Sequence, residues 1–167
     1  MTTTIEAIFI TPEGGAAMRS VSEVEAAPGG LKGDRYFQGN GYWSGTDDCE
    51  VTIISVEDLE VIERETGIVM SEGLHRRNIV VRGQALGKLV GRLFRLGGST
   101  MVFDRLRPPC AYIQQLTGEK GITRALAGKG GVGVRVIEAG TIRCGDSLEM
   151  LGRSEFERLR EIGLFGV

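Results

Sequence analysis

Glycine sets the terms on which this chain can fold. Its 26 glycines are scattered through 167 residues, and between them lie short runs rich in Val, Ile and Thr. A chain punctuated in this way folds as many short strands joined by tight turns. The length suits one domain spanning 1–167. A chain of that size buries roughly two-thirds of its unfolded surface, so it needs no staples.

The pattern of runs and turns places the elements. Thr4–Thr11 and Met18–Glu23 read as strands around the turn Pro12-Glu13-Gly14-Gly15. A segment over 29–48, dense in Gly, Asp and aromatics, reads as a long functional loop. Glu50–Ser55 is a strand, and Ser55 caps a helix through Asp58, with Val56, Leu59, Ile62 and Glu63 at helical spacing and Thr66-Gly67 as its end. Asn78–Arg82 is a β-branched strand, and Leu93–Leu96 and Thr100–Asp104 form a hairpin through Gly97-Gly98. A short helical pattern follows Pro108-Pro109, and Gly121–Ala127 makes a further helical turn. Gly133–Glu138, Thr141–Arg143 and Ser147–Leu151 close the fold as strands. A C-terminal amphipathic helix over 153–162 turns Phe156, Leu159 and Ile162 inward. The sum is a β-rich α+β fold, mostly antiparallel and partly barrel-like, with a few peripheral helices.

Charge and cysteine usage exclude several function classes. A net charge of −2 argues against nucleic acid as a partner, and no run approaches the ~20 apolar residues that cross a bilayer. The opening residues carry no signal-peptide pattern, and Cys49, Cys110 and Cys144 form no CxxC pair. These features predict a reduced, cytoplasmic protein. The arginines cluster locally at Arg76-Arg77 and Arg105–Arg107, which suits a small anionic ligand. Nothing in the pattern sets the assembly beyond monomer or small homo-oligomer.

The most informative hexapeptide is Arg105-Leu106-Arg107-Pro108-Pro109-Cys110. Two prolines fix the backbone ahead of the cysteine, and a helix starting at about Cys110 aims its N–H groups at the sulfur. Guanidiniums at Arg105 and Arg107 add to that field, and both effects favour the thiolate that attacks sulfur or binds soft metals. Cys144 reads as a core or turn position, and Cys49 follows Asp47 and Asp48, whose charges disfavour a thiolate. His75 is the only histidine, so any imidazole base must be His75, though its setting beside two arginines suits a solvent-facing loop. The segment Gly128-Lys129-Gly130-Gly131-Val132-Gly133 imitates a variant phosphate loop, but Val134 and Arg135 stand where Lys and Ser/Thr belong, and the segment precedes a strand. It reads as a Gly-rich turn.

Six pieces occur together in the order seen in MOSC domains, named for the C-terminal region of molybdenum cofactor sulfurases. They are KGDRYFQGNGYWS (32–44), EVTIISVEDLEVIERETG (50–67), RRNIVVRG (76–83), LVGRLFRLGG (89–98), RPPC (107–110) and GKGGVGVRVIEAGTIRCGD (128–146). The chain resembles that family over roughly 5–150, in the form of its stand-alone bacterial members. The resemblance implies that Cys110 is the family's cysteine, acting as molybdenum ligand or persulfide carrier. It implies that Arg76, Arg77 and Asn78 correspond to the segment beside a pterin phosphate, with Arg107 and Asp34-Arg35-Tyr36 as further cofactor-binding candidates. The cofactor implied is molybdopterin, and pyridoxal phosphate enters only through a cysteine desulfurase partner. Reduction of N-hydroxylated compounds at a Cys-bound molybdenum centre and non-catalytic anion binding are the alternatives. Many members carry histidine where this chain has Tyr36, so a histidine role there is lost. Tyr36 and Trp43 are expected to wall the cleft onto which Cys110 opens.

Overall fold

The computed structural model describes residues 2–41, 44, 49–83, 85–89, 91–108 and 111–163, with backbone alone at 88, 155 and 156. Cys110, Trp43 and the Phe156 side chain, all named above, lie outside the described residues.

The strands run β1 (Thr3–Ile10), β2 (Arg19–Val21), β3 (Glu23–Ala27), β4 (Gly30–Leu31), β5 (Val51–Ser55) and β6 (Ile79–Arg82). They continue with β7 (Leu93–Leu96), β8 (Ser99–Leu106), β9 (Val132–Glu138), β10 (Gly140–Arg143) and β11 (Ser147–Met150). Seven of them close into a barrel in the order β11-β7-β8-β9-β5-β6-β1, sealed by Thr3↔Leu148 and Thr4↔Ser147 between β1 and β11. Closure removes the free edges that a flat sheet would expose. All barrel pairings are antiparallel except β5 with β6, which are joined by the crossover helix α1 (Val56–Thr66). The fold is thus β-rich α+β with a mixed barrel, as the spacing of glycines and β-branched runs predicts.

Local chemistry explains the elements read correctly from sequence. Ser55 Oγ accepts the Asp58 N–H at 3.1 Å at the start of α1. Gly67, at φ 74°, ends the helix by donating to the Glu63 carbonyl. Gly97-Gly98 joins β7 to β8, registered Leu96↔Ser99. The pieces predicted as one strand over Met18–Glu23 are two. Arg19–Val21 pairs with β1, and Glu23–Ala27 leaves to pair with β10, making a small sheet in the order β10-β3-β4.

The barrel interior is filled by Ile8, Ile10, Val51, Ile53, Ile79, Val81, Phe94, Met101, Phe103 and Val134, among others. Ile5 joins the same cluster as Ile8, three positions away, because a register shift between Ile5 and Ala7 inserts a bulge into β1. Outside the barrel, Phe9, Ile54, Ile62 and Val80 pack under α1 and the short helices α2 (Ala111–Thr117) and α3 (Ile122–Ala125), with Ile113 and Ile122. Helix α4 (Arg153–Glu161) buries Leu159 against Leu93 and Val102. Ile162, expected to turn inward, is instead 55% exposed at the C-cap, one residue past the end of the helix. Among the described residues no helix is long and apolar enough to cross a membrane.

Candidate functional site

Three segments distant in sequence meet at one mouth of the barrel: residues 34–36, the turn 72–77 that enters β6, and the end of β8 at Arg107-Pro108. Together with Gly14, Gly15, Tyr112, Ile113 and Leu116 they line a pocket enclosing about 50 Å³. Among the described residues its lining holds the side chains of Arg35, Arg76, Arg77 and Arg107 and no carboxylate.

Asp34 organises the first segment. It is fully buried and accepts the Thr11 N–H at 3.1 Å, the Tyr36 N–H at 3.2 Å and the Arg35 guanidinium at 3.2 Å. Arg35 in turn donates to the Arg76 carbonyl at 3.2 Å and lies 4.8 Å from the centre of the Tyr36 ring, a cation–π contact. Burial raises the Tyr36 pKa against the opposing pull of Arg35, so its hydroxyl stays a proton-bearing donor.

The turn 72–77 owes its shape to left-handed residues at Glu72 (φ 53°), Gly73 (φ 80°) and Arg76 (φ 62°). His75 is buried, contrary to the solvent-facing position expected of it. Its Nδ1 accepts the Arg77 N–H at 2.9 Å, and its ring meets Phe9 edge-on at 5.3 Å. Burial, followed by the charges of Arg77 and Arg76, lowers its pKa from 6.5 to about 3, so it is a neutral acceptor and not a base poised for neutral pH. Arg76 donates through Nη1 to the Ala16 carbonyl.

Arg77 is 8% exposed, and its Nε donates to the Gly130 carbonyl at 2.7 Å. Its terminal nitrogens donate to no described residue. Burial, then Arg107, lowers its pKa to about 10, so it remains charged at neutral pH while facing like charges. A buried cation among cations, with unspent donors at a pocket, is stabilised by an anion that satisfies both.

The Gly-rich turn before β9 supplies the frame for these arginines. Gly130 takes the Arg77 bond, and Gly131 accepts the Arg107 N–H at 2.9 Å. A Cβ on Gly130 would overlap the Arg107 carbonyl, and one on Gly131 would overlap that of Ile53. The glycines of this false phosphate loop thus serve close backbone crossings.

The structure therefore brings together Arg76, Arg77, Arg107, Arg35 and Tyr36 of the residues singled out in the sequence. It keeps two of the others out of the pocket lining. Asn78 is fully buried and staples three strands: its Oδ1 accepts from the Thr52 N–H and hydroxyl at 3.0 Å, and its Nδ2 donates to the Phe9 carbonyl at 3.1 Å. Asp34 lies beneath Arg35. Arg105, expected beside Arg107, pairs with Asp104 at 2.9 Å and does not line the pocket. Phe37 is 39% exposed and also stays out of it. Cys110 itself lies outside the described residues, while Pro108 and Tyr112, on either side of it in sequence, both line the pocket.

Cys49, read from the sequence as the beginning of a strand, is buried just ahead of β5. A Cβ on Gly133 would stand 2.7 Å from its sulfur and 3.1 Å from Arg107 Cδ, so the thiol and the Arg107 stem both border Gly133. No local signal announced this, since the approach follows from the pairing Val51↔Val134 between β5 and β9. Cys144 is exposed in a turn, and its sulfur lies 3.7 Å from the Val21 carbonyl.

Comparison with known proteins agrees with this architecture. A family model described as the MOSC domain matches residues 40–149. None of the curated proteins matches the chain. Among solved structures, the YuaD protein from Bacillus subtilis aligns with a TM-score of 0.76 at 18% identity, covering 90% of this chain and 96% of that one. YiiM from Geobacillus stearothermophilus aligns at 0.71 and 18% identity, covering 90% and 76%. YiiM from Escherichia coli aligns at 0.65 and 20% identity, covering 90% and 70%.

Proposed function

The chain belongs to the MOSC domain family, and from that premise we propose that it binds a phosphorylated pterin of the molybdenum-cofactor type, with Cys110 as the thiolate that takes the metal or a transferable sulfur. The observation that carries this reading is the buried Arg77, whose terminal nitrogens donate to no described residue and which stands beside Arg76 and Arg107 in a pocket lined by no carboxylate among the described residues. That donor set fits the phosphate end of such a cofactor. About 50 Å³ has room for one tetrahedral anion in place of a few waters.

In this reading Arg77 and Arg107 grip the anion through charge-assisted bonds. Arg35, His75 and Gly130 position them, through the Arg76 carbonyl, the Arg77 N–H and the Arg77 Nε respectively. Tyr36 offers its hydroxyl as a neutral donor. The cofactor, when bound, supplies a redox-active metal centre. Cys110 supplies a soft ligand to it, and the arginine field favours the thiolate over the thiol. Asn78 and Asp34 act as positioning residues. The same thiolate suits sulfur transfer by attack on the outer sulfur of a cysteine desulfurase's persulfide, whose S–S bond breaks and whose own cysteine sulfur leaves as thiolate. The two uses of Cys110 are therefore separated by what the purified protein carries.

Cys110→Ser tests the reading. It nearly keeps side-chain volume, so stability changes by no more than about 1–2 kcal/mol while metal retention and sulfur loading are lost. Metal analysis and intact mass of freshly purified protein register which of the two cargoes is present. Alkylation at neutral pH supplies an internal standard: Cys110 reacts faster than the exposed Cys144, and the buried Cys49 reacts last. A Cys110 slower than Cys144, or a Ser variant that still binds cofactor and loads sulfur in full, defeats the thiol-centred reading.

A further inference from the structure

The polar groups around the arginine pocket divide into donors that line it and acceptors that stand behind them. Arg35, Arg76, Arg77 and Arg107 line the cavity, with Tyr36 and Tyr112. A guanidinium only donates, and it stays charged at neutral pH. The acceptors around this mouth are engaged in holding the arginines. Asp34, fully buried, accepts the Arg35 guanidinium and two backbone N–H groups. The Arg76 carbonyl accepts Arg35, the Ala16 carbonyl accepts Arg76, and the Gly130 carbonyl accepts Arg77. His75 Nδ1 accepts the Arg77 N–H, and the Gly131 carbonyl accepts that of Arg107.

This division bears on the charge that an anion must carry to bind here. Arg76 and Arg77 make no ion pair with any described residue. Burial, followed by Arg107, lowers the Arg77 pKa to about 10, and burial, followed by Arg35, lowers that of Arg76. Like charges are thus crowded where water reaches them poorly. A dianion offsets two of those charges, and each of its free oxygens accepts. A tetrahedral anion that keeps a proton offsets one, and its O–H is a donor facing donors. Among the described residues no carboxylate lines the pocket to receive that hydrogen. A phenol that received it would leave the second cation uncompensated.

We propose that the pocket selects its ligand by ionisation state, taking the dianion of a phosphomonoester and refusing the monoanion that carries one more proton. The inference rests on the reading that this pocket takes a phosphate end, and it adds the protonation state in which that end is taken. A terminal ester suits the geometry. Gly15, Arg76 and Leu116 border both this pocket, of about 50 Å³, and an open concavity beside it, which leaves the ester substituent a way out.

Calorimetric titration of the full chain with methyl phosphate and with sulfate, each in two buffers of different ionisation heat, tests the proposal. At pH 6, about the second pKa of a phosphomonoester, half of the methyl phosphate arrives as monoanion, so selection of the dianion releases about half a proton per ligand bound. Sulfate is already a dianion and meets the same Asp34, Tyr36, His75 and Tyr112 among the same four arginines. Its proton count therefore records what the protein itself releases, and is subtracted. Between pH 5.5 and pH 7.5 methyl phosphate binding strengthens about fourfold with its dianion fraction, while sulfate binding holds constant. Arg77→Gln weakens both anions at least about tenfold, the worth of one hydrogen bond to a charged group. A methyl phosphate proton release no larger than that of sulfate overturns the selection and leaves the anion pocket standing. Unchanged affinities in Arg77→Gln, or binding of neither anion to the parent chain, overturn the anion pocket and this inference with it.

Discussion

Gly131→Ala is expected to destabilise the fold by roughly 3–4 kcal/mol, a large loss for a single methyl group. Two effects add. Gly131 sits at φ 79°, in the left-handed region. An alanine held there costs about 1–2 kcal/mol for its backbone alone. The new Cβ also meets backbone, the Ile53 carbonyl and the Ile54 Cα, which cannot rotate away as a side chain would. Such overpacking adds about 1–3 kcal/mol. Gly128→Ala is the control, because Gly128 has a similar φ of 73° but nothing within 4 Å of its Cβ position, so it carries the first cost only. Urea unfolding of the two variants separates them. If Gly131→Ala loses no more than Gly128→Ala, the crossing is not what the glycine serves. The same variant should weaken anion binding, since Gly131 and Gly130 hold Arg107 and Arg77 through adjacent carbonyls.

Acid should unfold this protein through His75. In the folded chain burial and the charges of Arg77 and Arg76 hold its pKa near 3, against 6.5 in the unfolded chain. Above pH 6.5 both states carry neutral imidazole, and the stability associated with this group is fully present. Below it the unfolded chain takes up a proton that the folded chain refuses, so stability falls by about 1.4 kcal/mol per pH unit until pH approaches 3. Protonation also turns Nδ1 from acceptor to donor and forfeits its bond from the Arg77 N–H. His75→Asn places an amide oxygen near the Nδ1 position and does not titrate. Between about pH 6.5 and about pH 4 it should therefore lose roughly 3 kcal/mol less than the parent chain. Denaturant midpoints of both proteins at several pH values provide the comparison, because the carboxylates contribute equally to each. Parallel losses in the two proteins would remove His75 from the account.

Much of the local structure was legible in the sequence because its causes are local. Ser55 and Asp58 stand three residues apart and make their own cap, Gly67 ends that helix with a conformation that favours glycine, and Gly97-Gly98 turns one strand into the next. The arginine pairs were legible as residue types in short segments, and so was the mismatch that disqualifies the phosphate-loop imitation. The MOSC resemblance likewise rests on runs of contiguous residues, which is why it survives without any knowledge of how they pack.

What remained hidden depends on which strand lies beside which. Strict alternation along β1 would set Ile5 and Ile8 on opposite faces, and the bulge that unites them is decided by the partner strand β6. Met18–Glu23 reads as one strand until pairing with β1 at one end and β10 at the other divides it. Asn78 sits next to two site arginines in the chain, yet its amide is spent on Thr52 and Phe9, which strand pairing places beside it. His75 passes from an expected surface loop to a neutral buried acceptor because Phe9 and the arginines close around it. Cys49 and the Arg107 stem both border Gly133 because β5 and β9 are antiparallel neighbours. By itself, then, the chain's sequence determined its elements, its family and the chemistry available to it. The tertiary structure alone decided which of those groups converge, because barrel closure joins residue 3 to residue 148 through hydrogen bonds that no local pattern encodes.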